Sequence, residues 1–384
     1  MTQSGRPRRI MVSCGEASGD LYAGALLRAL REQTEVDAFG FAGAQFQQAG
    51  GELVGDYRGF SVTGLTEALG VVRRSYAMLN TLVDAARTRK PDVFIAIDFP
   101  DFNFRLLPKI KALGIPVVYY ISPQLWAWRP GRLKTIQQYV DRVLVIFPFE
   151  EKIYRDANVP VTFVGHPLVD LAHATRSRTE TCAAAGLDPG RQIVALLPGS
   201  RPNELRLLLP VLAMAAQRLH SSLPDVQFLV ARAPALDDEL FAPIEDARRR
   251  GVTIGMLENA ADDVLATADV AATASGTATI QTALHRTPLV IVYRVSGLTY
   301  AIARRFVKLT TYGMVNLVAE RPVVKELIQD DCTAEAVAAE LLRLLSTPAA
   351  ASRMKDDLDD VVRRLGGSGG SARAAAAVLE TIGG

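Results

Sequence analysis

Cysteine is scarce in this chain. Three residues among 384, Cys14, Cys182 and Cys332, stand far apart and form no CxxC pair. That excludes a disulfide framework and a thiolate metal site, and an odd, sparse count points to reduced thiols in a cytosolic compartment. Histidine is nearly as rare, with four residues, and His173, His220 and His285 show no metal-ligand spacing. The acidic pairs Asp237-Asp238, Asp262-Asp263 and Asp330-Asp331 fall in polar or helix-start contexts, so neither a metal nor a cofactor is expected. Charge of one sign is missing too. A formal net charge of +2 gives no basic stripe for a nucleic-acid partner. Long apolar runs are also absent: nothing approaches the ~18 uninterrupted residues of a spanning helix. Met1 to Arg9 is polar and basic and leads into only a short apolar strand, which is not the pattern of a signal peptide.

What is present is a globular composition, 49% hydrophobic and 22% charged, in a chain too long for one core. Two domains of roughly 150–200 residues are the default. Arg9-Ile-Met-Val-Ser13, Pro91-Asp-Val-Phe-Ile-Ala-Ile-Asp98, Pro116-Val-Val-Tyr-Tyr-Ile121 and Arg142-Val-Leu-Val-Ile-Phe147 are short apolar runs separated by helical spacing. Such continuous runs suit strands buried on both faces of a parallel sheet. Asp20 is expected to cap the helix that carries Leu21, Ala25 and Leu30. A break follows near Val164-Gly-His-Pro-Leu168, and His173 to Thr181 reads as a linker. The cycle then restarts, with strands at Ile193–Pro198, Val226–Ala231, Asp269–Thr273 and Pro288–Val292. Helices are expected at Leu205–Leu219 and from Ala278. The fold class is α/β, with two doubly wound, Rossmann-like domains at 1–170 and 171–345. Helices at 346–384, interrupted by Gly366-Gly-Ser-Gly-Gly370, are free to pack back on the first domain.

In doubly wound sheets, ligands bind beyond the carboxyl ends of the strands. Three loops there carry small residues just before helices. Gly15 to Gly19, with Ser18, lacks the GxGxxG spacing of a dinucleotide site, which disfavours a dehydrogenase. Gly199-Ser200-Arg201 and Ser275-Gly276-Thr277 lie in the second half. Small residues let backbone N–H groups approach an anion at the positive helix end, and Arg201 adds a fork for phosphate. A plain helix start explains either loop alone; together they suit a diphosphate.

Asp98 is the leading catalytic candidate, because it ends a buried strand at the ligand-binding rim and Pro100 breaks the chain just beyond it. A general base needs a partly desolvated carboxylate of this kind. An ordinary strand-end aspartate remains an equal reading, and Asp101 competes, although beside Asn103 it also suits a helix cap. Glu16 is a base, a sugar ligand or a solvated loop acid. His166 is a ligand contact between the halves or a hinge residue. Both tryptophans of the chain sit in Ser122-Pro-Gln-Leu-Trp-Ala-Trp128. Phe60 to Val72, followed by Arg73-Arg74, and Tyr300 to Lys308 mix apolar and basic residues. They suit a membrane surface or an acyl pocket as well as they suit ordinary core helices.

At these residues the chain resembles the lipid-A-disaccharide synthase family. The matching segments are Gly15-Glu-Ala-Ser-Gly-Asp20, Ile97-Asp-Phe-Pro-Asp-Phe-Asn103, Ser122-Pro-Gln-Leu-Trp-Ala-Trp-Arg129, Phe163-Val-Gly-His-Pro167, Leu196-Leu-Pro-Gly-Ser-Arg201, Ala274-Ser-Gly-Thr277 and Asn316-Leu-Val-Ala319. They occur in the family's order, from about residue 9 to residue 330. The resemblance implies a GT-B arrangement, two domains facing across a cleft, with acceptor chiefly in the first and UDP-sugar in the second. It implies inverting transfer of 2,3-diacylglucosamine from its UDP derivative to the 6-hydroxyl of 2,3-diacylglucosamine 1-phosphate, giving a β-1,6 disaccharide and UDP. By position, Asp98 is the base, with Glu16 and Asn316 in the active site. Gly199, Ser200, Arg201, Ser275, Gly276, Thr277 and Gln281 hold the donor. Gly15, Ser18, Gly19, Gln124 and Trp126 face the acceptor. The expected location is cytoplasmic, peripheral on the inner membrane, and a homodimer is left open.

One position departs from the family. Gln281 stands where a glutamate typically accepts from the ribose hydroxyls; its amide oxygen accepts without charge. Restoring the acid is therefore expected to tighten UDP binding. Two other functions fit less of the sequence. A UDP-sugar 2-epimerase shares the fold but has no role for the tryptophan loop, and a non-catalytic nucleotide-sugar module has no need of Asp98.

Overall fold

The alternation of apolar runs and helices is realised as two separate parallel sheets. The computed structural model describes residues 6–60, 65–123, 130–295 and 311–383, the side chains at 59–60, 65–72 and 130 excepted. Two units divide the chain: Met1–Pro167 with Leu365–Gly384, and Leu168–Arg364.

The first unit holds β1 (Arg8–Ser13), β2 (Val36–Ala42), β3 (Glu52–Asp56), β4 (Val93–Ile97), β5 (Val117–Tyr120), β6 (Arg142–Val145) and β7 (Val161–Phe163). Their order is β3-β2-β1-β4-β5-β6-β7. Every residue of β4 is buried, which is why Val-Phe-Ile-Ala-Ile shows no alternation: helices cover both faces of the sheet. On one face Phe102, Leu106 and Ile110 from the helix Pro100–Lys111 join Phe41, Phe94 and Tyr119 in the core. Truncating a fully buried leucine such as Leu106 would cost about 2–5 kcal/mol. The second unit holds β8 (Ile193–Leu197), β9 (Gln227–Arg232), β10 (Ile254–Glu258), β11 (Val270–Ala274), β12 (Leu289–Tyr293) and β13 (Lys325–Ile328). Its order is β10-β9-β8-β11-β12-β13. Strand order reverses between β1 and β4 in one sheet and between β8 and β11 in the other. Those reversals open the crevices where such sheets take ligands.

Three expectations are corrected. His173 to Thr181 is not a linker. Ser177 caps the helix Arg178–Ala185 in a capping box with Glu180. The buried Asp263 carboxylate accepts from the N–H groups of Thr175 and Arg176 at 2.6 and 3.0 Å, and Arg178 donates to the carbonyls of Thr267 and Arg191. A stretch whose polar groups are satisfied by one unit belongs to that unit. Asp20 does not cap its own helix either. It lies within the helix Ala17–Gln33, buried, and accepts from the N–H groups of Gly43, Gln45 and Phe46 at 2.9–3.0 Å. It thus caps the following helix, Ala44–Gln48, where a carboxylate meets the orphan donors and the positive dipole end. The C-terminal helices, finally, do not act as one segment. Pro348–Arg364 stays with the second unit through the ion pairs Arg286–Asp359 and Arg321–Asp357. Only Leu365–Gly384 returns to the first, where Arg373 Nε donates to Val164 O at 2.8 Å and His166 N–H to Leu365 O at 2.8 Å. Among the described residues no helix is long and apolar enough to cross a membrane.

Candidate active site

Loops after β1 and β4 lie at the rim of the first sheet. After β4 the chain turns through Asp98 and Phe99, consecutive non-glycine residues at φ 44° and 49°. Each such residue costs on the order of 1–3 kcal/mol, and its neighbours must hold it there. They do so from four directions. Tyr119 Oη donates to the Asp98 carbonyl at 2.7 Å and Asn103 Nδ2 donates to the same oxygen at 2.8 Å. The Asp98 N–H donates to Tyr120 O at 3.2 Å. The Phe99 ring stacks on Phe102 and Phe41, with centroids 5.3 and 6.2 Å away. Gly15 completes the seat, for a Cβ there would fall 2.2 Å from the Phe99 ring. The glycine after β1 thus serves the turn after β4.

Asp98 itself is half-buried at the end of β4. Glu16 is exposed at the N-cap of the helix Ala17–Gln33, and Ser18, two residues on, is half-buried. Gly19 packs under Cys14, whose thiol burial pushes up, with the charges of Asp20, Asp56 and Asp98 adding to the effect. Cys14 is therefore a packed thiol, not a nucleophile. Asp101 lies in the first turn of its helix and pairs with Arg132. His166 is buried against Tyr22 and Phe147, and desolvation lowers its pKa to about 3. It stays neutral at physiological pH, so it is no acid catalyst there.

At the second sheet, the loops after β8 and β11 flank the reversal. Gly199 adopts φ 104°, and Arg201 is the N-cap of the 21-residue helix Pro202–Ser222. The Arg201 side chain is 61% exposed, and its Nη1 donates to Glu204 Oε1 at 3.3 Å. Glu204 packs against Gly199, where a Cβ would lie 2.4 Å from its Oε2. After β11, Gly276 at φ 137° is the N-cap of the helix Thr277–Leu284, and nothing lies within 4 Å of where its Cβ would be. Ser275 Oγ donates to Tyr312 O at 3.5 Å. Each loop therefore places small residues just before a helix N-terminus, an arrangement that suits phosphate oxygens. Among the described residues no three His, Cys, Asp or Glu side chains converge as metal ligands would.

Comparison with known proteins decides the family. The model described as lipid-A-disaccharide synthetase matches residues 10–380. The lipid-A-disaccharide synthases of Geobacter sulfurreducens and Myxococcus xanthus are each 43% identical to this chain, over 98% of it and 97% and 98% of their own lengths. The chain belongs to the lipid-A-disaccharide synthase family. It is a glycosyltransferase of lipid A biosynthesis. Among solved structures it is similar to UDP-GlcNAc 2-epimerase from Neisseria meningitidis, with TM-score 0.68 and 10% identity over 97% of this chain and 99% of that one. A calicheamicin glycosyltransferase gives TM-score 0.59 and 16% identity, over 99% of both chains. Likeness at such identities is one of fold, two Rossmann-like units of the GT-B class. It gives the epimerase reading no weight against the family match.

Against the family expectations the remaining residues fall into three groups. Asn316 is buried, and the chain's own groups engage its amide. Nδ2 donates to Val324 O and Glu326 Oε1 at 2.8 and 2.7 Å, while Oδ1 accepts from the N–H groups of Val323 and Val324 at 2.8 and 2.9 Å. Glu326 in turn accepts from the N–H groups of Tyr312 and Gly313. Asn316 thereby braces the turn that receives Ser275. Gln281 Nε2 donates to Asp262 Oδ1 at 2.8 Å, an oxygen that also meets His285 Nε2 at 2.7 Å. Gln124 and Trp126 lie outside the described residues, as do the side chains of Phe60 to Val72 and of Tyr300 to Lys308. Sequence reasoning missed Tyr119, Glu204, Asp262 and Glu326 as members of these rims. The only available sign was a polar residue within or next to an apolar strand, or at a helix start.

Proposed function

We propose that the chain transfers 2,3-diacylglucosamine from its UDP derivative to the 6-hydroxyl of 2,3-diacylglucosamine 1-phosphate. The anomeric carbon inverts, and the products are the β-1,6 disaccharide 1-phosphate and UDP. The observation that carries this reading is the family match running through every rim loop of both units. Asp98 takes the proton of the acceptor hydroxyl as its oxygen attacks, with Glu16 as a second carboxylate at the same rim. The loops Gly199–Arg201 and Ser275–Thr277 receive the diphosphate, whose charge grows as it departs. Helix-end N–H groups and the Arg201 fork stabilise that charge without rearranging. Gln281 accepts from the ribose. The acyl chains keep both substrates at the cytoplasmic face of the inner membrane, where the protein associates peripherally through the apolar-basic stretches at 60–74 and 300–308. The test is UDP release: it requires the diacylglucosamine 1-phosphate acceptor and yields one disaccharide per UDP. Release at the same rate without acceptor, or recovery of an epimerised sugar, overturns the proposal.

A further inference from the structure

The carboxylate of Asp98 points wherever its backbone turn sends it, and that turn is an unfavourable one. Left to itself, the chain would relax Asp98 and Phe99 from φ 44° and 49° toward negative φ and swing the carboxylate away from its present direction. Phe99 is locked by stacking and by the close approach of Gly15. Asp98 is held through its main chain, where the carbonyl accepts from both Tyr119 and Asn103.

We propose that Tyr119 and Asn103 are positioning residues for the transfer reaction, holding the Asp98 carboxylate in its reactive orientation by donating together to its main-chain carbonyl. The proposal rests on Asp98 being the base.

Both donors are fully buried and anchored on different elements, Tyr119 on β5 and Asn103 on the helix Pro100–Lys111. Asn103 Nδ2 also reaches Ser13 O at 3.3 Å, tying the end of β1 to the turn after β4 across the sheet reversal. Burial, reinforced by the charge of Asp98, raises the Tyr119 hydroxyl well above its ordinary pKa. It therefore keeps its proton, and the donation does not switch with pH. Two donors on one carbonyl resist rotation of the peptide after Asp98, whereas a single bond would still leave it a pivot.

The test is a kinetic cycle. Tyr119→Phe removes one O–H and keeps the ring, so it leaves the core filled. Loss of one such bond corresponds to a fall in kcat of about fivefold, with KM for donor and acceptor within about twofold of wild type. In an Asp98→Asn background the same substitution leaves the residual rate unchanged, because a residue acting through the carboxylate has nothing left to position. Asn103→Ala, assayed alongside its melting curve, follows the same pattern with a larger fall. Wild-type kcat in Tyr119→Phe overturns the proposal, and so does an equal fractional loss in both backgrounds, which marks a merely structural role. Wild-type turnover in Asp98→Asn alone overturns the base assignment, and the proposal with it; the single variant separates that outcome from the other two.

Discussion

At the reversal of the first sheet the turn after β4 is made by Asp98 and Phe99, which carry side chains at positive φ. At the second sheet the turns after β8 and β11 are made by Gly199 at φ 104° and Gly276 at φ 137°. The first turn is crowded, with Gly15, Phe41, Phe102, Asn103 and Tyr119 closing on it. Around Gly276 the space where a Cβ would stand is open. Under the proposed reaction the difference has a physical reason. A carboxylate acting as base would have to point one way, so strain is held by packing. A diphosphate would be met by backbone N–H groups, and there the side chain is best removed.

The comparison breaks first at Asp98. Asp98→Asn is expected to lower turnover by ~10²–10⁴ while UDP binds as before. Near wild-type turnover would move the base to Glu16 or Asp101. Next comes Arg201→Ala, which removes charge-assisted hydrogen bonds worth about 1.5–3 kcal/mol. UDP affinity should fall roughly 10- to 100-fold; unchanged affinity by calorimetry would confine Arg201 to its partner Glu204. The sharper contrast is a pair of alanines. Gly15→Ala would drive a Cβ into the Phe99 ring, at about 1–3 kcal/mol of overpacking, so melting temperature and turnover fall while UDP affinity holds. Gly276→Ala meets no atom but strains the backbone at the phosphate loop, and UDP affinity falls instead. If both variants lose the same property, the two rims do not divide the work as described.

Much of this architecture was legible in the sequence. The β4 and β8 runs, Val93–Ile97 and Ile193–Leu197, are apolar throughout because both faces of each sheet are covered, and the loops that follow them carry the motifs. Partners that depend on distant packing were not legible. Asp20 reads as a helix cap because it sits in a helix-start sequence, yet its carboxylate serves Gly43 to Phe46, which only the sheet brings near. His173 to Thr181 reads as a linker because it is polar, although Asp263, some ninety residues on, satisfies its N–H groups. Nothing local in Phe94 to Ile121 says that Tyr119 will meet the Asp98 carbonyl. That contact follows from the register of β4 against β5, which pairs Ala96 with Tyr119. Asn316, expected at the active site from the family motif, has its amide engaged within its own unit by Val323, Val324 and Glu326, residues that follow it in the chain and that its motif does not include.

The smallest expected effect is at Gln281, where the structure reverses the sign that the sequence suggests. On sequence grounds a glutamate here should tighten UDP binding, since a charged acceptor makes stronger hydrogen bonds to the ribose. The Gln281 amide, however, has a second task. Its Nε2 donates to Asp262 Oδ1 at 2.8 Å, and a carboxylate has no donor to offer. Gln281→Glu would set two carboxylates side by side, with Asp262 only 26% exposed. Like charges ~4 Å apart near a protein surface repel by about 4 kcal/mol before screening and relaxation, against the ~1 kcal/mol gained from one better hydrogen bond. The glutamate is expected to turn away from Asp262 and from the ribose, weakening UDP binding about fivefold at neutral pH. Adding Asp262→Asn should recover the loss, because an asparagine amide can donate to the new carboxylate while its other oxygen accepts from the ribose. Titration of UDP into wild type, Gln281→Glu and the Gln281→Glu/Asp262→Asn double variant reads both signs. Tighter binding in the single variant would mean that Asp262 yields its place readily and that Gln281 is a plain loss of charge at the ribose.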